Sequence, residues 1–270
     1  MQEDKKKALE GALGKTEDLM NMFEKTVRRN WDMELPRSDF SKTAEMILGN
    51  LEQSEKAEPE TAAVVQEVVH APADIRLSLD LGGLARDCGN CTRCRLASTR
   101  TKTVFGDGCI VRPDVLVVGE GPGETEDRTG LPFVGRAGEL LTKMLASISL
   151  YRESNCYITN TVKCRPPENR DPLPDEKEAC GPYVKQQIAL IRPKAILCLG
   201  KGASCMLTGQ DSASMGQLRG RFFFYDGSIP MICTYHPAAV LRNPDLKRPV
   251  WEDLKKLARF LNLGIAGERK

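Results

Sequence analysis

Four cysteines are spaced as a candidate ligand set. Cys91 and Cys94 form a Cys-x2-Cys pair, and Cys164 and Cys180 follow after gaps of 69 and 15 residues. Structural zinc sites usually take their thiolates from two close pairs. Here the second pair is spread out. Four soft ligands drawn from separate loops suit a cubane iron–sulfur cluster. The same spacing leaves zinc or unligated buried thiols open. Cys88 lies three residues before Cys91 and is a spare candidate for the first pair. The chain has ten cysteines but only two histidines, His70 and His236, so a histidine-rich metal site cannot be built. Cys198, Cys205 and Cys233 lie in or beside apolar runs and read as core thiols. Cys109 and Cys156 also read as structural.

A second group of residues is glycine-rich. Gly119-Glu120-Gly121-Pro122-Gly123-Glu124-Thr125-Glu126-Asp127 continues to Gly130-Leu131-Pro132-Phe133-Val134-Gly135-Arg136-Ala137-Gly138. Glycines at a strand end let the backbone approach a ligand closely. The Gly-Lys-Ser/Thr ending of a nucleotide-binding P-loop is missing. A third group is Tyr235-His236-Pro237-Ala238-Ala239-Val240-Leu241-Arg242, with His236 as the sole histidine of the C-terminal two thirds.

These groups need a scaffold, and the apolar periodicity supplies one. Asp114–Gly119 is a short apolar run of buried parallel-strand type, Asn155–Thr161 reads as a second strand, and Lys194–Gly200 as a third buried strand. Phe222–Tyr225 and Met231–Tyr235 read as further strands. Residues 136–148 and 175–191, Gly202–Leu207 and Trp251–Leu261 read as helices. The alternation predicts an α/β fold: three layers, α/β/α, around a central and mainly parallel sheet. Ligands on such sheets sit at the carboxyl ends of strands. The unusual segments fall there, after Gly119, Asn160, Gly200 and Tyr235.

Residues 1–84 have a different character and read as an N-terminal extension and linker. Helical stretches are expected around 5–28 and 39–53, with a flexible linker near 54–75. A catalytic domain is expected over 85–265. Arg28-Arg29 beside Trp31 is a candidate docking point for a partner. Residues 1–80 carry 11 Lys/Arg against 17 Asp/Glu, whereas 81–270 carry 28 against 20. An acidic front and a mildly basic body fit two modules, the second suited to nucleic acid. No apolar run is long enough to span a bilayer, and the charged start Met1-Gln2-Glu3-Asp4-Lys5 lacks the apolar core of an export signal. A cytoplasmic, reducing setting is expected.

Taken together, the motifs resemble the family 4 uracil-DNA glycosylases, the iron–sulfur branch of that superfamily. The resemblance covers about 88–262. It rests on the Cys-x2-Cys start with Leu96 and Arg100-Thr101, the glycine-rich motif with Glu126-Asp127 and Pro132-Phe133-Val134-Gly135, Asn160-Thr161-Val162-Lys163-Cys164-Arg165-Pro166-Pro167, and His236-Pro237-Ala238. The branch without an acidic residue in the first motif fits less well, because Glu120 is present.

The resemblance implies a monofunctional enzyme that flips uracil out of single- or double-stranded DNA and hydrolyses its glycosidic bond, initiating base excision repair. A [4Fe-4S] cluster on Cys91, Cys94, Cys164 and Cys180 is expected, with a structural role. Glu120 and His236 are the expected catalytic pair. Phe133 offers a stacking face for uracil, Asn160 reads its polar edge, Gly121 supplies a backbone N–H, and Glu126 walls the pocket near uracil C5. Leu241 is expected to fill the space left by the flipped base from a loop in the minor groove. Lys163, Arg165 and Arg242 are expected at DNA phosphates, with Arg170, Lys247 and Arg248 as further candidates. The protein is expected to act as a monomer, associated with the nucleoid through DNA, and its extension could recruit a replication or repair protein. One alternative is a relative that traps its product covalently, but the loop from Lys163 to Arg170 has no histidine for that. Another is a non-catalytic DNA-binding iron–sulfur module, which would not need Glu120, Phe133, Asn160 and His236 together. No lysine has a Schiff-base context, so lyase activity is not expected.

Overall fold

The computed structural model describes residues 77–267. The helices expected at 5–28 and 39–53, the linker and the Arg28–Trp31 segment lie outside them. Six strands form one sheet in the order β1-β3-β2-β4-β6-β5. They are β1 (Asp107–Gly108), β2 (Val115–Gly119), β3 (Cys156–Asn160), β4 (Ala195–Leu199), β5 (Phe222–Tyr225) and β6 (Ile229–Thr234). The four central strands β3, β2, β4 and β6 are parallel, and the edges β1 and β5 are antiparallel. The expected strand runs are thus present, shortened or shifted by one or two residues.

Every residue of β2, β3 and β4 is buried. This follows from cover on both faces, which removes the polar alternation of a half-exposed strand. Along β2, Val115 and Val117 join a core with Leu141 and Leu145 of α3 (Arg136–Ala146) and Leu254 and Leu257 of α8 (Lys247–Phe260). Leu116 and Val118 join the opposite core with Val184 and Ile188 of α4 (Pro174–Ile191) and Ala203 of α5 (Gly200–Thr208). The molecule is therefore a three-layer α/β/α structure. Each buried Val or Leu contributes roughly 1.5–3 kcal/mol, so the sheet makes a stiff base for whatever its carboxyl edge carries.

Chain order reverses at β2, which has β3 on one side and β4 on the other. A crevice opens where strand order reverses in such sheets. It falls at Gly119 and Glu120.

Four helices were not evident from periodicity. The first, α1 (Leu81–Gly89), starts at Asp80, whose carboxylate accepts from the Gly83 N–H at 2.8 Å. Its Leu84 is fully buried in a third core with Cys180 and Tyr183 of α4. The boundary expected at 84/85 falls inside this helix. The others are α2 (Glu124–Thr129), α6 (Met215–Leu218) and α7 (Pro237–Arg242). The segment after His236, expected to be a loop, is thus a short helix. The last helix, α8, begins at Lys247, four residues earlier than expected. Among the described residues no helix is long and apolar enough to cross a membrane.

Candidate active site

The end of β2 is built around an absent side chain. Gly119 is in register with Asn160 on β3. A Cβ at 119 would run into the Asn160 side-chain oxygen and the Phe133 ring. Glycine there leaves these two groups facing one space. Asn160 is buried, and its Oδ1 has no hydrogen-bond partner. Buried polar atoms are nearly always paired, and an exception calls for a physical reason. Here Oδ1 is a buried acceptor for which the described residues supply no donor.

Phe133 is held in a left-handed backbone conformation, φ 52°. That is costly for a residue with a large side chain. Arg152 secures it, donating to the carbonyls of Pro132 at 2.8 Å and Phe133 at 3.1 Å. The Phe133 ring lies 5.6 Å from that of His236, tilted by 34°. It also packs within the core beside Leu141 and Val240.

His236 caps the N-terminus of α7, with Pro237 at the first helical position. Its Nδ1 accepts from the Ala238 N–H at 3.1 Å. An accepting Nδ1 leaves the proton on Nε2. Burial, helped by the Arg242 charge and opposed by Glu126, pushes the imidazole pKa down to about 4. At neutral pH His236 is therefore a neutral donor through Nε2–H.

Glu120 sits at the β2 tip. Its carbonyl accepts from Thr161 Oγ1 at 2.7 Å and from the Val162 N–H at 3.0 Å. Its carboxylate pairs with Lys177 of α4 at 3.1 Å and lies where a Cβ at Gly202 would be. Gly121 packs against Val162. Glu126 is already engaged: its Oε1 accepts from the Val134 and Gly135 N–H groups, both at 2.8 Å. It staples the turn that carries Phe133. The adjacent Asp127 accepts from the Thr101 N–H at 2.9 Å and joins this motif to the segment after Cys94.

Sequence reasoning misplaced one side chain outright. Lys163, expected at a DNA phosphate, is 1% exposed. Its ammonium is bonded within the protein, to Thr159, Asn160 and Gln187, and not to a DNA phosphate. Arg170 is engaged too: both its terminal nitrogens bond the buried Glu176 carboxylate, at 2.8 and 2.6 Å. Its task is to hold the start of α4 rather than a phosphate. Arg165 bonds Asn169 Oδ1 at 2.8 Å and lies 3.5 Å from Glu124. Leu241, Arg242, Lys247 and Arg248 are exposed, the first two on α7 directly after His236.

The cysteines come together in a separate pocket. Cys88, Cys91, Cys94, Cys164 and Cys180 line it with Arg93, Arg100, Lys163 and Tyr183. Arg100 donates to Cys164 Sγ at 3.4 Å, and the Lys163 backbone N–H to Cys180 Sγ at 3.2 Å. One terminal nitrogen of Arg93 is buried without a partner. Three cations and two N–H···S bonds suit an anionic metal–thiolate group. Among the described residues no three Cys, His, Asp or Glu side chains converge on one ion position. The donor set is five sulfurs lining one pocket with Arg93, Arg100 and Lys163, and soft thiolates of this kind are the ligand type that iron–sulfur clusters take. Burial pushes the Cys88 thiol up to about 12. Burial also acts on half-exposed Cys91, but hydrogen bonds with Arg93 and Tyr183 outweigh it and its pKa ends below normal. Cys198 and Cys233 are fully buried register neighbours on β4 and β6.

Sequence reasoning missed Lys177, Arg93 and the stapling duty of Glu126. Arg93 had a signal in its place inside the Cys-x2-Cys pair. Lys177 had none, because only the packing of α4 brings it to Glu120.

The matching family is the uracil DNA glycosylase superfamily, over residues 105–255. The type-4 uracil-DNA glycosylase of Archaeoglobus fulgidus is 43% identical over 186 residues, 67% of this chain and 92% of that protein. The chain belongs to this superfamily, in its type-4 family. The type-4 relative from Thermotoga maritima is 44% identical over 63% of this chain and 89% of its own length. That of Sulfurisphaera tokodaii is 42% identical over 62% and 79%. The superfamily match takes in Glu120, Phe133, Asn160 and His236, while α1 and the Cys91–Cys94 pair precede its first residue.

Proposed function

We propose that this type-4 family member is a monofunctional uracil-DNA glycosylase that binds a flipped uracil between Phe133, Asn160 and His236. The orphaned Asn160 Oδ1 carries this reading. A base must leave the stack before a side chain can reach its glycosidic bond. In the pocket, Asn160 Oδ1 accepts from uracil N3–H and its amide nitrogen donates to O4. Cytosine reverses both polarities and would leave buried groups unpaired, a large penalty.

As the bond between C1′ and N1 breaks, electrons move onto uracil and charge builds on O2. The His236 Nε2–H donates to that oxygen, and a backbone N–H near Gly121 assists. The sugar becomes cationic. Glu120 faces it, stabilises it electrostatically and orients the water that attacks C1′. Lys177 holds the Glu120 carboxylate in place. Glu126 acts through the turn it staples, setting Phe133 in the pocket wall.

Cys91, Cys94, Cys164 and Cys180 hold a [4Fe-4S] cluster in this reading, with Cys88 beside them. When bound, the group supplies a cross-link rather than a reaction step. It joins the Cys91–Arg100 segment to the Lys163–Arg170 loop and to α4. Leu241 fills the gap in the duplex, and Arg165, Arg242, Lys247 and Arg248 contact phosphates. The protein acts as a monomer on single- or double-stranded DNA in the cytoplasm, and the N-terminal extension, residues 1–84, recruits a repair or replication partner.

The test is uracil release from single- and double-stranded oligonucleotides by protein purified without air. Multiple turnovers are expected. Glu120→Ala and His236→Ala are each expected to lower the rate by about 10²–10³, the cost of removing one such stabilising group. Absence of release from folded, iron-loaded protein overturns the reading. A denaturing-gel shift in place of turnover would point to covalent capture.

A further inference from the structure

The ladder between β2 and β3 ends at the Gly119–Asn160 pair. The Thr161 N–H bonds the Gly119 carbonyl, so the Asn160 carbonyl faces away from β2, past the last β1–β3 pair at Asp107–Ile158, and a buried carbonyl there still needs a donor. Lys163 supplies it from three residues downstream, with Nζ 2.7 Å from that oxygen. The same Nζ bonds Thr159 Oγ1 at 2.5 Å and Gln187 Oε1 at 2.6 Å. The three protons of the ammonium thus have three acceptors. Gln187 is in turn fixed by its own bonds to the Phe105 carbonyl at 2.9 Å and Tyr157 Oη at 3.3 Å. Among the described residues no carboxylate pairs with Lys163; the ionisable groups facing it are the Cys180 and Cys88 sulfurs. Its backbone N–H binds Cys180 Sγ. One residue therefore touches the cysteine pocket through its backbone and the recognition asparagine through its side chain.

We propose that Lys163 is a positioning residue, whose buried ammonium fixes the Asn160 backbone, and with it the recognition amide, relative to the cysteine pocket. This rests on the reading of Asn160 given above. A lysine is demanded here over an apolar residue because it must satisfy three acceptors at once. Charge-assisted bonds are about twice as strong as neutral ones, so the site resists the small displacements that would misplace the amide. The cysteine pocket anchors the same backbone at Cys164 and through the Cys180 contact. Order in that pocket is thereby transmitted to the base-reading amide some three residues away in sequence.

The test compares the full-length, iron-loaded wild type with Lys163→Met, Thr159→Val and Asn160→Ala. Three quantities are read: iron and sulfide content, kcat and KM on a uracil-containing oligonucleotide, and inhibition by free uracil. Lys163→Met is expected to retain its iron while inhibition by free uracil weakens about tenfold or more, the range for misplacing one polar recognition group. Its kcat/KM is expected to fall toward that of Asn160→Ala. Thr159→Val keeps the side-chain volume and removes one of the three acceptors, so a smaller loss in the same direction is expected. Thr159→Val also decides the matter if Lys163→Met does not fold. Wild-type uracil inhibition in an iron-loaded Lys163→Met variant overturns the proposal. So does loss of iron in Lys163→Met together with an unaltered Thr159→Val, which would make the lysine purely structural. Failure of the glycosylase reading is distinct: the wild type itself would release no uracil, and Asn160→Ala would change nothing.

Discussion

At the scale of single residues, the site depends on groups kept in particular protonation and packing states. His236 is a base whose folded pKa, about 4, lies below its unfolded value. Its neutral form is favoured by the fold. The corresponding stability is fully present above about pH 6.5, the unfolded value, and is lost as pH falls toward 4. Uracil release is accordingly expected to show no inflection from His236 between pH 8 and about 5. The imidazole proton resonances of His236, followed by NMR, are expected to titrate near 4; titration near 6.5 would remove the neutral-donor argument. Gly119 offers a second check. Gly119→Ala would place a methyl group against the Asn160 oxygen and the Phe133 ring. The variant is expected to fold, with near-native circular dichroism, and to lose at least about 10²-fold in kcat/KM, because a misplaced recognition group costs that much.

Elements position these residues through a few buried charged contacts. Arg219 follows α6 and reaches across to α8, donating to both oxygens of Asp253 at 3.0 and 2.7 Å. Asp253 is fully buried and also accepts from Thr234, the last residue of β6, at 2.7 Å. Burial pushes its carboxyl pKa up, against the pull of these partners. The contact fixes the end of β6, two residues before His236. Removing one partner of a buried pair leaves an uncompensated charge and costs about 3–5 kcal/mol. Arg219→Ala is therefore expected to lower the denaturant midpoint strongly, with Arg219→Lys less affected. Equal midpoints for wild type and Arg219→Ala would show that Asp253 finds other partners. The short helix α7 is held in a similar economy: the His236 cap and Pro237 start it, and Val240 buries into the core. Leu241 is left 43% exposed beside Arg242.

For the whole molecule, one edge of the sheet carries Gly119, Phe133, Asn160 and His236, the proposed base site, and exposed α7 and Lys247–Arg248 follow His236 in sequence. If Leu241 fills duplex space, Leu241→Ala is expected to reduce release from double-stranded DNA much more than from single-stranded DNA. An equal loss on both would remove the wedge role. Neutralising one phosphate-binding side chain lowers the slope of log affinity against log salt by about 1. Replacing Arg242 or Arg248 with Gln is expected to do so in filter binding, and Lys163→Gln is not, because Lys163 is buried. On the proposed reading that the cysteine pocket holds a cluster, stripping iron is expected to expose the 91–100 and 164–170 segments to limited proteolysis, while the sheet core stays protected.

The sequence by itself determined the layers and the place of the site. Short segments ending in Gly119, Asn160 and Leu199, bounded by turn residues, read as strands, and the structure covers them on both faces. Their carboxyl ends then had to carry the glycine-rich, asparagine and histidine segments. Short helices such as α2 and α7 have too few turns to show a period, and α1 straddles a change of composition, so they were not legible. The identities of Glu120, Phe133, Asn160 and His236 were visible as motifs, but the free oxygen of Asn160 and the proton position on His236 were not. Only the tertiary structure decided which charges face solvent. Lys163 and Arg165 lie two residues apart in the same basic loop, and sequence treats them alike. The fold turns one inward to three acceptors and the other toward the surface, because the Asn160 carbonyl lies past the end of the β1–β3 pairing and needs a donor.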